Sequence, residues 1–288
     1  MTTAQAKAQS SILKVPGAQL YYEVQGKGPV LLMIPGGPTD AGIFATLASF
    51  LADGYTVVRY DPRGNSRSLL DGPPEDQNMD VHGDDAAQLL ATFGAAPANV
   101  LGSSGGAQIG LNLAARYPKL VQTLVAHEPP CRTLLPNSAE HEAFTESVYQ
   151  TYLSSGPGPA MQKFMEGAGL AGGTQPQRSA PPSPEAREAF GRIQGNVDYF
   201  LAHGFKPIGA YVPDVAALRA GSPRIIVGVG AASTGQFPCR SAMALAEQLG
   251  TEPLIFPGGH GGYNDDPSGF AATLDQALSG MSATSTQL

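Results

Sequence analysis

The sequence predicts an α/β fold: a mostly parallel central sheet, helices on both faces, and a helical insertion. Three observations predict it. Short apolar runs alternate with stretches of helical spacing from about residue 30 to residue 126. The alternation resumes at Arg224 and continues to Leu278. Between them, residues 130–220 break the pattern with Gly-, Pro- and Ser-rich stretches around helix-like segments. The expected organisation is a core built from residues 1–129 and 221–288, with 130–220 as a cap over one edge of the sheet.

The elements follow in order. Ile12–Val15 and Gln19–Val24 read as two strands joined at Pro16-Gly17. Val30–Ile34 is apolar throughout, as a strand buried on both faces must be. Phe44–Ala52 has helical spacing, with Gly54 beyond its end. Thr56–Tyr60 is another strand, and residues 69–78 read as a polar, Pro-rich loop. Asn78 or Asp80 can cap a helix that runs to Phe93. A strand ends at Ser103, a helix follows to Arg116, and Leu120–Ala126 is the next strand. In the insertion, residues 137–153 and 184–201 read as helices, the second opened by Ser183-Pro184-Glu185. Arg224–Val229 and Pro253–Phe256 are strands, and Arg240–Gln248 and Phe270–Leu278 are helices.

Composition excludes several functions. Charged residues make up 14% of the 288 and apolar residues 42%, the balance of a globular chain. A net charge of −7 without a Lys/Arg block argues against nucleic acid and against an anionic membrane surface. No signal peptide and no membrane span are expected, so the cytoplasm is the default location. Cys131 and Cys239 form neither a disulfide framework nor a metal site. No metal and no cofactor are expected, and a homodimer is left open.

The chemistry centres on Gly102-Ser103-Ser104-Gly105-Gly106. This is G-x-S-x-G at a strand-to-helix joint, the context that gives the motif meaning. Ser103 would need glycine at 101, where leucine stands, so Ser104 is the candidate nucleophile. A serine hydroxyl needs a base. His260 follows the last strand in a Gly-rich loop, at the edge of the sheet where strand C-termini gather. His82 and His141 read as solvent-facing helix residues, His203 as a helix end, and His127 as a strand end beside an acid. The base needs a carboxylate to orient it. The loop Gly230–Gln236, after the strand at 224–229, contains none. Glu128 is the substitute; His127 and Glu128 should face opposite ways if extended. Asp265 and Asp266 read instead as caps of the last helix. The N–H groups of Gly37 and Gly105 are the expected oxyanion donors.

Together these residues resemble the α/β-hydrolase superfamily, whose order of nucleophile, acid and base matches Ser104, Glu128, His260. Asp61–Ser68 is similar to the family's D-x-R-G-x-G-x-S segment, with Ser66 in place of the second glycine. The His127-Glu128-Pro129 run and the carboxylate-free 229–234 loop resemble the zearalenone lactonase-like hydrolases, which place a glutamate acid after this strand. The resemblance implies a cofactor-free serine hydrolase that opens a carboxylic ester or lactone of a largely apolar small molecule. Met161, Met165 and the insertion aromatics are expected to line the pocket. The rival readings are a ligand receptor on the same fold, or a C–C bond hydrolase or cofactor-free peroxidase.

Overall fold

The structure is a computed structural model that describes residues 8–94, 97–171 and 184–280. Among the described residues nine strands form one open sheet: β1 (Gln9–Val15), β2 (Ala18–Gly26), β3 (Val30–Ile34), β4 (Thr56–Tyr60), β5 (Leu69–Leu70), β6 (Ala98–Ser103), β7 (Val121–His127), β8 (Arg224–Gly230) and β9 (Leu254–Phe256). Their order is β1-β2-β4-β3-β6-β7-β8-β9, with the two-residue β5 paired to β2. β1 and β2 run antiparallel to each other, and β2 antiparallel to β4. From β4 to β9 every pairing is parallel.

Burial on both faces accounts for the central strands. All five residues of β3 are buried. Successive side chains alternate across the sheet. Val30, Leu32 and Ile34 therefore join one apolar layer, with α2 (Met79–Ala91), α3 (Gly105–Arg116) and α9 (Phe237–Leu249). Leu31 and Met33 join the other, with α1 (Ala45–Leu51) and α11 (Pro267–Ser279). Helix ends follow local chemistry. The Asn78 side chain accepts from the Asp80 N–H at the start of α2. Gly250 takes the left-handed conformation that ends α9. Asp266 caps α11 through the Gly269 N–H, as expected, whereas Asp265 ends the short α10 (Gly262–Asp265).

Between β7 and β8 the described residues form the helices α4 (Ser138–Ser155), α5 (Pro157–Gly167), α6 (Pro184–Tyr199), α7 (Phe205–Gly209) and α8 (Val215–Ala220). A π-helical turn, Phe200–Gly204, joins α6 to α7. These helices have a small apolar centre of their own, built on Val148, Ala160, Val197, Phe200, Leu201 and Phe205. Helix α5 lies where the sequence reads only as Gly/Pro-rich loop. Its start carries the relevant signal, Gly156 followed by Pro157 in the first turn. The capping position expected at Ser183 lies outside the described residues.

The structure corrects the reading of His82. It is buried, not solvent-facing, because it shares the inward stripe of α2 with Asp85, Ala86, Leu89 and Leu90. Its Nε2 lies 2.9 Å from Gln77 Oε1. Burial drives its pKa down to about 3, and that of buried His127 down to about 4. Both rings therefore stay neutral in the fold where the unfolded chain, with pKa near 6.5, takes up protons. Stability is expected to fall as pH drops from about 6.5 towards 4, each ring adding up to about 1.4 kcal/mol per pH unit. Urea unfolding at pH 7 and pH 5 measures this, and His82→Gln is expected to flatten the dependence.

Candidate active site

The strand order reverses between β3 and β6, because β4 lies on one side of β3 and β6 on the other. Such a switch point opens a crevice at the strand C-termini. Both chain segments leaving it are predicted site segments: Gly36-Gly37 after β3, and Ser104 between β6 and α3. Ser104 holds φ +56° and ψ −126°, the strained joint expected of the elbow. The crossing is close. A Cβ at Gly106 would lie 2.0 Å from the Ile34 carbonyl oxygen. A Cβ at Gly36 would lie 2.8 Å from the Ser104 Cβ. Only glycine allows the two segments to touch there.

The structure separates the two serines. Ser103 is buried, with Oγ 3.4 Å from His127 Nδ1 in the layer below. Ser104 faces a cavity of about 300 Å³ that His260 also lines. Gly37 and Gly105 line the same cavity, and neither N–H donates to a backbone carbonyl in the described turns and loops. Gly105 opens α3, where the first N–H groups have no partner within the helix.

His260 is tied to Glu128. Its Nδ1 lies 2.6 Å from Glu128 Oε2, and the Gly230 N–H donates to Oε1 at 2.9 Å. An ionised carboxylate only accepts, so the ring donates from Nδ1 and leaves Nε2 free to accept a proton. Glu128 is fully buried. Burial alone would raise its carboxyl pKa. The hydrogen bond and charge of His260, with His127 and the Gly230 N–H, outweigh it and hold the carboxyl below its ordinary value. Glu128 reaches this position by leaving the strand conformation at φ +49°. The expectation of opposite faces assumed an extended chain. His127 instead packs edge-on against Phe256 and Phe270, with ring centroids 5.5 and 5.2 Å away. No hydrogen bond joins the Ser104 hydroxyl to His260 among those of the described residues, although both line one cavity. A resting site often leaves this contact long.

Apolar side chains dominate the cavity wall, among them Phe144, Met161, Phe164, Met165 and Phe200. Met161 and Met165 are thus where the sequence reading put them, while Phe190 is 64% exposed and takes no part. His141 also departs from the reading. It is half-buried in the cavity wall, tilted against Phe237 with centroids 4.9 Å apart. Burial lowers its pKa. Arg132, Phe237 and Tyr263 line the cavity too, and no spacing in the sequence marks them out. Among the described residues no group of three or more His, Cys, Asp or Glu is placed to hold a metal ion, and no helix is long and apolar enough to cross a membrane.

Comparison with known proteins gives the class. The family model for the alpha/beta hydrolase fold matches residues 29–156. The chain is 39% identical over 272 residues to an uncharacterized hydrolase, YraK, of Bacillus subtilis, covering 92% of this chain and 94% of that one. The chain therefore belongs to the α/β-hydrolase family and is a hydrolase. A zearalenone hydrolase of Cladophialophora bantiana is 35% identical over 132 residues, 44% of this chain and 49% of its own. Among solved structures, a thermophilic esterase from Thermogutta terrifontis shares the fold with a TM-score of 0.72 at 20% identity, covering 96% of this chain and 99% of that one.

Gly106→Ala tests the crossing of the two segments. The added Cβ meets backbone, which has no rotamer to yield. Destabilisation of ~3 kcal/mol is expected, read by urea unfolding.

Proposed function

We propose that the protein is a serine hydrolase that opens a carboxylic ester or lactone of a largely apolar small molecule through an acyl-enzyme. The observation that carries this reading is the 2.6 Å contact between Glu128 and His260, with His260 and Ser104 lining one cavity. His260 Nε2 takes the Ser104 proton as Oγ attacks the carbonyl carbon. The carbonyl oxygen becomes an oxyanion held by the Gly37 and Gly105 N–H groups. The C–O bond to the leaving alcohol then breaks, and His260 returns the proton to that oxygen. Water enters, gives a proton to His260, and adds to the acyl carbon. Ser104 leaves with the proton from His260, and the carboxylic acid is released.

Each residue has a stated part. Glu128 fixes the tautomer and orientation of His260 and stabilises the imidazolium. No cofactor is needed, since every proton and electron pair is supplied by these groups and by water. Helices α4–α8, within residues 130–220, act as a cap, and their aromatic and methionine side chains select an apolar substrate. The relative named zearalenone hydrolase brings a macrolactone into the range of substrates to try. The expected setting is the cytoplasm.

A panel of p-nitrophenyl esters and of lactones, the latter followed by product analysis, tests the reading. Wild-type protein is expected to turn over at least one of them. Ser104→Ala and His260→Ala should lower kcat by ~10⁴ or more, and Glu128→Gln by ~10³, with KM little changed. Full hydrolysis by Ser104→Ala rules the mechanism out. Ligand binding without turnover on either panel favours a receptor.

A further inference from the structure

We propose that Arg132 forms an anion subsite in the wall of the cavity, and that the substrate carries a carboxylate in addition to the bond that is cleaved. This rests on the ester or lactone reading above. It adds a polar requirement to a pocket that otherwise reads as apolar.

The geometry of Arg132 carries the inference. It sits in the short turn Arg132–Leu134, four residues beyond Glu128, and it lines the cavity. Among the described residues one of its five N–H donors is used: Nη1 donates to Thr145 Oγ1 at 2.9 Å. That hydroxyl in turn donates to the His141 carbonyl at 2.8 Å, so its lone pair is directed at the guanidinium. The head group is thereby held in place, and its remaining donors have no hydrogen-bond partner among the described residues. Among the described residues no carboxylate lies within salt-bridge distance of it. Glu142, exposed on α4, acts on it through space without a contact. Of the residues whose side chains are not described, Glu185 alone is acidic.

The wall around Arg132 fits a bound anion. Position 209 is glycine, and a Cβ there would lie 2.8 Å from Arg132 Nη1. The guanidinium thus lies against bare backbone. The neighbouring Ile208 packs on the elbow, its Cγ2 3.7 Å from where a Cβ of Gly105 would be. One chain step separates these contacts, so the guanidinium lies no more than roughly 14 Å from the elbow. The His141 ring lines the same cavity and carries N–H donor capacity, and burial lowers its pKa. An arginine with no carboxylate partner among the described residues, set in a largely apolar wall, is suited to a carboxylate, which it can grip with two parallel hydrogen bonds. The net charge of −7 repels anions from the protein as a whole, which makes a local cation necessary for such a substrate.

Paired substrates test this. p-Nitrophenyl monoesters of straight-chain dicarboxylic acids of four to nine carbons are compared with p-nitrophenyl esters of fatty acids of equal length. The wild type is expected to favour the acid member of at least one pair by tenfold or more in kcat/KM. Arg132→Gln should reduce that ratio at least tenfold, mainly through KM, and Arg132→Lys should restore part of it. Gly209→Ala, which displaces the guanidinium and leaves its charge, should reduce the ratio as well. A second arm does not depend on turnover. Calorimetry of Ser104→Ala should find the monomethyl ester of a dicarboxylic acid bound at least tenfold more tightly than the dimethyl ester. Adding Arg132→Gln should abolish the difference. If neither p-nitrophenyl series is hydrolysed but the calorimetric difference holds, the subsite stands and the hydrolytic reading fails. If esters are hydrolysed with no preference for the acid members, or if the preference survives Arg132→Gln, the subsite is overturned.

Discussion

The buried carboxylate of Glu128 is the constraint on which the arrangement of the site depends. One oxygen receives the Gly230 N–H and the other faces the Nδ1 of His260. It therefore ties the end of β7 to the end of β8 and to the loop after β9. An anion removed from water is costly unless it is paired and hydrogen-bonded. These partners meet that cost only if the three segments keep their register. The left-handed backbone at Glu128 adds strain of ~1–3 kcal/mol, which the packed layers beneath must hold. Those layers are the ones that bury His127 against Phe256 and Phe270.

The second fixed point is the crossing of the β3 loop over the β6–α3 joint. Here the sheet supplies position and glycine supplies room. The strand reversal between β3 and β6 brings two loops together without any side chain reaching across. The N–H groups of Gly37 and Gly105 are thereby left beside Ser104, inside a cavity closed by helices from a different part of the chain. α6 is held down on the same loop: Arg192 Nε donates to Asp40 Oδ2 at 2.8 Å, and Asn196 Nδ2 donates to the Pro38 carbonyl at 2.8 Å. The Asn196 side chain also accepts from the Ser66 N–H, at the position where the family segment has glycine. Ser66 takes φ +50° there, so that backbone contact accompanies a conformation glycine would adopt freely.

Much of this was legible in the sequence where one physical rule dominates. β3 and β4 are found at their observed bounds, because runs buried on both faces carry their own signal. Ser104, Glu128 and His260 are nominated by the strand-to-helix motif, the missing acid after β8 and the Gly-rich final loop; the structure brings Glu128 and His260 into contact and puts Ser104 and His260 on one cavity. The illegible parts depend on tertiary context. His82 is polar by type but sits on an apolar stripe, so residue type misled where position decided. α5 was hidden by its glycines and prolines. The cavity wall could not be read, because Arg132, His141 and Tyr263 come from elements far apart in sequence and meet only when the helices pack.

The most direct test of the central claim is covalent labelling with a fluorophosphonate, mapped by mass spectrometry and timed. If Glu128 orients His260 and His260 activates Ser104, the label lands on Ser104 alone. Its second-order rate then falls by at least a hundredfold in both His260→Ala and Glu128→Gln. Labelling of another residue, or an unchanged rate when the carboxylate at 128 is neutralised, contradicts the account.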